Sequence, residues 1–333
     1  MNTLKTKNGN FVISLDFEIY WGVRDVVTLK QYEPNLLGVR KVIPALLDLF
    51  NRYKINATFS TVGLLFFTNK EELLQGLPEK KPAYLNPQLS PYTGHFNMVG
   101  KNENEDPLHF APSLIHQIKQ NGQEIGCHTF SHYYCLEAGQ TIDDFREDIK
   151  AAKNIAAKYD IELKSFVFPR NQYNEEYLKV CREEGITSFR GNERSALFSS
   201  KNYGNATAFR RPFRLLDAYI NISGHNCYAE KEMLGNQLIN IPGSRFLRPY
   251  VKKLAPLDGL RLSRITKSMT HAAKKNLTYH LWWHPHNFGV NLENNLAFLE
   301  KILVHYNVLS GKYNFKSAGM TQLAEQLTAE NEQ

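Results

Sequence analysis

Short apolar runs alternate with helical patterns along most of this chain, and that alternation restricts the fold more than any other feature. Residues 11–15 form a β-rich run, after which Val39, Val42, Ile43, Leu46, Leu47 and Phe50 recur at the three- and four-residue spacing of one helix face. A second strand is predicted at 55–62, a helical piece near 64–74, a helix at 113–120 and a short strand at 124–127. Thr141 and Asp144 resemble a capping box, with hydroxyl and carboxylate placed for free amides, so a helix is predicted from there to about Tyr159. Strands at 164–168, 187–190 and 278–283, with helices at 175–184 and 292–306, continue the order. The order predicts an α/β fold with a mainly parallel sheet and helices outside it, either a barrel or an open sheet. Residues 76–112 break the rhythm: rich in Pro, Asn, Gly and charge, they predict a long inserted loop region. One domain spanning 1–333 and carrying that insertion is the expectation.

With 42% hydrophobic and 22% charged residues, the chain has the makings of a sizeable core and does not read as disordered. Its formal charge of +7 is unevenly spread. Between Arg245 and Lys275 stand nine Lys or Arg residues against one acid, Asp258. If 261–269 is helical, Arg261, Arg264 and Lys267 fall close together while Leu262, Ile265 and Met269 form an apolar stripe on another face. That basic segment (245–275) reads as a solvated helix face, or as attraction to an anionic substrate or an anionic membrane surface. Cys127, Cys135, Cys181 and Cys227 show no Cys-x-x-Cys pairing and read as reduced thiols, Cys127 as a core residue. The first ten residues are mostly polar, and Asp16 and Glu18 break the apolar run that follows. Neither a secretory signal nor a membrane span is therefore expected, and the location is read as cytoplasmic.

Four polar clusters lie at the ends of predicted strands, where parallel α/β folds gather their chemistry. In the first, alternation sends Asp16 and Glu18 to the same side, so that one carboxylate can bind a metal while the other handles a proton; caps and surface ion pairs are the plainer reading. In the second, His128 and His132 at i and i+4 share one face of a helical turn and can close on one cation, or else are two buried histidines with backbone partners. The third, at 166–172, ends in Arg170, Asn171 and Gln172, a fixed cation and amides suited to orienting a carboxylate or holding a sugar hydroxyl. The fourth, at 280–289, sets Trp282 and Trp283 beside His284 and His286: an aromatic platform for a sugar ring, taken as Trp283 with the other tryptophan in the core or the reverse, and an imidazole that can shuttle protons.

In this order, from about Phe11 to Gly289, the four motifs resemble the polysaccharide deacetylase family, also called carbohydrate esterase family 4. The resemblance implies a distorted, incomplete (β/α) barrel and a metal-dependent hydrolase that removes an N-acyl group, an acetyl above all, from an amino sugar during cell-surface glycan or lipopolysaccharide biosynthesis. It implies a divalent metal of the zinc type on His128 and His132, with Glu18 as third ligand, because this chain has Asp16-Phe17-Glu18 where the common family version has two adjacent aspartates. Asp16 then matches the general base and His284 the acid that protonates the leaving amine. Arg170, which follows a proline where many members have arginine before it, takes the role of bracing Asp16. His286 becomes a second candidate acid or a substrate contact, beside Trp283 and Asn171. The implied partner is an N-acylated amino sugar, nucleotide-linked or lipid-linked, with peripheral contact to the inner membrane face and no nucleic acid. Two other readings stand beside it: a deformylase or allantoinase-like amidohydrolase, and a noncatalytic protein holding a polyanion on the basic segment.

Overall fold

The computed structural model describes residues 8–195, 207–235 and 237–331, so most of the polar opening stretch read for targeting lies outside the described residues. Its centre is a parallel sheet. Strands β1 (Asn10–Phe17), β2 (Ala57–Thr61), β3 (Glu124–Cys127), β4 (Ser165–Phe166), β5 (Ser188–Phe189), β6 (Ile239–Asn240), β7 (Arg245–Phe246) and β8 (Thr278–Trp283) run in the spatial order 6-5-4-3-2-1-8-7. Strand β9 (Lys316–Ser317) pairs with the start of β1. Every pairing is parallel.

The two ends of that order, β6 and β7, are consecutive in the chain and joined only by residues 241–244. A link that short spans at most about 18 Å, so the sheet has to curl until its edges nearly meet. The link bridges what the strands leave open: Gly243 N–H donates to Gly191 O beyond β5 at 3.0 Å, and Ser244 N–H to His280 O in β8 at 2.8 Å. The result is the distorted, incomplete barrel expected above.

Register then decides which side chains point inward. Ser14 pairs with Thr58 and Trp282, and Asp16 with Ser60, so these share one face with His280 and, two residues on, His284. The opposite face carries Phe11, Ile13, Leu15, Phe17, Phe59, Cys127, Phe166, Phe189, Leu281 and Trp283, all buried against the surrounding helices. Helix Leu29–Tyr53 supplies Val39, Val42, Ile43, Leu46, Leu47 and Phe50, the stripe read from the sequence, to that outer core. Inside, a smaller apolar cluster joins Val12, Val167 and Ile241 to Met320, Leu323 and Leu327 of the C-terminal helix Met320–Asn331. The capping box at Thr141 and Asp144 is present and opens helix Ile142–Ala157. Residues 76–112 contain two short 3-10 turns, Pro87–Leu89 and His95–Asn97, and Tyr84 from this stretch packs on Tyr134. Among the described residues no helix is long and apolar enough to cross a membrane.

The basic segment corrects an expectation. Helix Asp258–Lys275 forms, but Arg261 and Arg264 are each only 4% exposed rather than displayed to a membrane. Arg261 donates to the Arg248 and Pro249 carbonyls at 2.6 and 3.1 Å and lies over the Phe298 ring. Arg264 pairs with Asp217, which Arg245 also grips at 3.0 Å. These guanidiniums satisfy carbonyls and a carboxylate that neighbouring loops bury, and only Lys267 of the expected trio stays exposed. Asp217→Ala should therefore destabilise the protein by about 3–5 kcal/mol, the scale for stripping the partner from buried charges. Lys267→Ala should change stability by less than about 0.5 kcal/mol. Denaturant unfolding of the two variants measures both, and equal effects would contradict the assignment.

Candidate active site

At the mouth of the barrel, β1 delivers Asp16 inward and the chain carries Glu18 just beyond it. Both are 3% exposed. Close packing behind Glu18 requires glycine at position 22, where a Cβ would lie 2.0 Å from the Glu18 Cδ. His128 follows β3 directly. The turn to His132 is not the helical one expected: Thr129 (φ 62°) and His132 (φ 59°) both adopt left-handed backbone, a rare conformation for such residues. What holds that turn is Asp148 of helix Ile142–Ala157, whose carboxylate accepts from Phe130 N–H at 2.6 Å, Ser131 N–H at 3.1 Å and Ser131 Oγ at 2.5 Å. Burial nonetheless pushes the Asp148 carboxyl up to about 7.

The turn brings His128 Nε2 to 3.2 Å and His132 Nε2 to 3.0 Å from Glu18 Oε2. Each imidazole is oriented through its other nitrogen. His128 Nδ1 donates to the Val167 carbonyl at 2.8 Å. His132 Nδ1 donates at 3.1 Å to the Tyr134 hydroxyl, which itself donates to Asp25 at 3.1 Å. With both Nδ1 protons engaged, a neutral imidazole pair turns two bare Nε2 lone pairs toward a carboxylate oxygen, a cluster of acceptors that calls for a cation. Two imidazoles and one carboxylate, all within 4.8 Å of one another and backed by carbonyl, phenol and carboxylate, are a donor set that fits a divalent metal and leaves a coordination position open. Burial works to raise the Glu18 carboxyl, but positive charge beside it, that of His284 first, holds it well below the usual carboxylate range.

Asp16 is braced, but not by the residue expected. Arg190, at the inward position that follows β5, grips both its oxygens at 2.7 Å. The same guanidinium donates to Ser14 Oγ at 3.0 Å, and Ser14 meets His280 Nε2 at 2.8 Å. Burial opposes ionisation of Asp16, yet Arg190 and then His284 bring its carboxyl below the ordinary value. Arg170 instead pairs with Asp25 and stacks 4.1 Å over the Tyr134 ring, so it supports the His132 side of the site. The reason is register: β4 turns Phe166 outward, and the chain past Pro169 swings away, with Arg170 and Asn171 in left-handed backbone. Arg190 was legible in principle, as the residue two past the inward Ser188 of a predicted strand.

His284 stands between the two carboxylates, its Nε2 3.6 Å from Asp16 Oδ2 and 3.7 Å from Glu18 Oε1, with Nδ1 facing Asn287 Oδ1 at 3.3 Å. His286, expected as a second acid or a substrate contact, does not line the cleft. It is buried behind His284 with ring centroids 5.0 Å apart, its Nδ1 has no hydrogen-bond partner among the described residues, and burial followed by the proximity of His284 lowers it to about 3. Trp283, expected as the substrate contact, is instead the core residue of the two tryptophans, wholly buried and stacked on Phe288, because alternation along β8 points it outward. Trp282 takes the platform position. It lines a cleft of about 300 Å³ together with His284, Arg190, Asn171 and Phe246, while Arg190 lies 4.1 Å over its ring.

Comparison with known proteins follows this geometry. Residues 31–189 match the family model described as polysaccharide deacetylase. That span includes His128, His132 and Arg170, whereas Asp16, Glu18, Arg190 and His284 lie outside it and join the site through the fold. No curated protein matches the chain. Among solved structures, a Mycobacterium smegmatis protein described as a candidate polysaccharide deacetylase superposes with TM-score 0.60 at 14% identity, over 99% of this chain and 94% of that one. The Puue allantoinase superposes with TM-score 0.52 at 10% identity, over 96% and 89%. At such identities both likenesses speak for a shared fold.

The strained turn and its anchor give a direct expectation. Asp148→Ala leaves two backbone amides and a hydroxyl buried without an acceptor and should cost about 2–4 kcal/mol of stability. Asp148→Asn, which keeps one acceptor oxygen, should cost less. Denaturant titration of both checks this; two variants as stable as the parent would show that the turn does not depend on Asp148.

Proposed function

We propose that this chain, whose residues 31–189 match the polysaccharide deacetylase family model, is a metal-dependent hydrolase that removes an N-acyl group from an amino sugar. The observation that carries the proposal is the meeting of His128, His132 and Glu18 beside an Arg190-braced Asp16, with His284 Nε2 3.6 Å from that aspartate. A divalent cation of the zinc type on those three residues would polarise the acyl carbonyl and lower the pKa of a water. Asp16, kept ionised by Arg190, accepts the proton of the attacking water. His284 hands a proton to the departing nitrogen, since an amine leaves poorly unless protonated. Trp282 offers its face to the sugar ring and Asn171 its amide to a hydroxyl. The cysteine usage fits a cytoplasmic role in cell-surface glycan or lipopolysaccharide biosynthesis.

Mass spectrometry of N-acetyl and N-formyl amino sugars incubated with metal-loaded protein tests the reading through loss of an acetyl or formyl mass. Allantoin belongs in the same panel, given the allantoinase fold neighbour. Turnover of allantoin alone would replace the substrate class, and salt-sensitive polyanion binding with no turnover anywhere would favour a noncatalytic protein. Asp16→Asn should keep its metal while turnover falls about a hundredfold or more; unchanged turnover would move the base elsewhere. Tyr134→Phe removes the hydroxyl that orients His132 and should weaken metal affinity about 10–100-fold in a chelator competition. Replacing both histidines by alanine should abolish metal uptake, and full occupancy in that variant would overturn the ligand set.

A further inference from the structure

An imidazole can give up a proton at Nε2 only if Nδ1 keeps its own hydrogen, because the alternative product is an imidazolate. His284 meets that condition through an unusual division of partners. Both acids of the site face the same nitrogen: Asp16 Oδ2 and Glu18 Oε1 lie 3.6 and 3.7 Å from its Nε2. At Nδ1 stands a neutral amide, that of Asn287, with Oδ1 at 3.3 Å.

The orientation of that amide is set by a group whose role is fixed. The backbone N–H of His284 donates to Asn287 Oδ1 at 3.4 Å, and a peptide N–H can only donate. The oxygen is therefore the end turned toward His284, so Nδ1 meets an acceptor and carries the hydrogen. The other end, Nδ2, donates to the Tyr32 hydroxyl at 3.4 Å. An amide turned by half a rotation would set its NH2 against the His284 N–H.

Helix Leu29–Tyr53 supports this contact from behind. Its Tyr32 places a ring edge-on to His286 with centroids 5.5 Å apart, and Asn35, one turn on, donates to the His286 carbonyl at 3.2 Å. The 3-10 turn Pro285–Phe288 is followed by Gly289, where a Cβ would lie 1.9 Å from the Asn35 carbonyl oxygen, so helix and turn meet backbone to backbone. The helix holds the turn, and the turn holds the imidazole.

Resting on the hydrolase reading above, we propose that Asn287 is the positioning residue of the proton donor, fixing His284 in the form that carries hydrogen at Nδ1, with Tyr32 fixing Asn287. As water adds to the acyl carbon, Asp16 takes one of its protons. As the C–N bond breaks, the Nε2 proton of the His284 imidazolium passes to the nitrogen and leaves a neutral ring whose Nδ1–H still points at Asn287. The proton held by Asp16 then returns to Nε2 across 3.6 Å, so the cycle closes without a co-reactant. An amide oxygen accepts the Nδ1 hydrogen but cannot take it up, which leaves Nε2 as the one nitrogen that exchanges a proton with the reaction.

The test uses the full-length, zinc-loaded protein with two readouts. The first is nitrogen-15 NMR of the neutral His284 ring at alkaline pH, its signals identified by their loss in His284→Gln. Nδ1 should carry the hydrogen in the parent and in Asn287→Asp, which keeps an acceptor oxygen, whereas Asn287→Leu should give a mixture or the Nε2–H form. The second readout compares turnover of the N-acyl amino sugar found in the panel above with that of 4-nitrophenyl acetate, whose leaving group needs no proton. Asn287→Leu should lower kcat on the amide about a hundredfold with KM little changed, and on the ester less than about threefold. Asn287→Asp should recover most of the loss, and Tyr32→Phe should show a smaller loss of the same kind. Should Asn287→Leu fail to fold, Tyr32→Phe carries both comparisons, and a variant that matches the parent in both would count against the role. An Nδ1–H form kept in Asn287→Leu, or equal losses on amide and ester, overturns the inference while the hydrolase reading stands. A ring form that depends on Asn287 in a protein that turns over no N-acyl sugar would instead uphold the positioning and sink the hydrolase reading.

Discussion

A strand in a parallel sheet sends successive side chains to opposite faces, and in this protein the sheet is curled so tightly that one of those faces becomes an interior. Everything at the site follows from that constraint. The outward positions of β1 are Phe11, Ile13, Leu15 and Phe17, which pack under helices, while the inward ones after Val12 are Ser14 and Asp16. Thr58, Ser60, Ser165, Ser188 and Ser244 are likewise wholly buried beside the outward aromatic and aliphatic residues of their strands. A small polar lining leaves room at the mouth for Asp16, Arg190 and His284, where large aliphatic layers would have filled it.

Burying so many ionisable groups is costly unless each finds a partner, and the partners form two chains of contact. One runs from Asp16 through Arg190 and Ser14 to His280, whose Nδ1 donates to the Ile241 carbonyl in the link that bridges the barrel edges. The geometry of the Asp16 carboxylate is thereby tied to closure of the sheet. The other runs from His132 through Tyr134 and Asp25 to Arg170, which also approaches Glu137 at 3.5 Å. That second chain sets the tautomer of one imidazole from residues that never touch Glu18 or His128. Arg170, misplaced by the family resemblance as a brace for Asp16, still acts on the site through this route.

Read without the structure, periodicity and motif order reach far. The alternation of strands and helices, the outer face of helix Leu29–Tyr53 and the capping box at Thr141 are local properties, set by residues a few positions apart, and each stands where the sequence places it. The grouping of Asp16 with Glu18, and of His128 with His132, is also local, because each pair sits on one short segment. What sequence alone could not decide was which distant partners complete each pair. Arg170 and Arg190 are both arginines near a strand end; only the register of β4 and β5 sends one toward Asp25 and the other to Asp16. Trp282 and Trp283 are adjacent and alike in type, and the pairing of β8 with β1 alone decides which faces the cleft. Arg261 and Arg264 look like a solvated face until the loops that need their hydrogen bonds are folded over them. Local spacing determines which segments form and which side chains share a segment; tertiary pairing, which depends on contacts between separate segments of the chain, decides what those side chains meet.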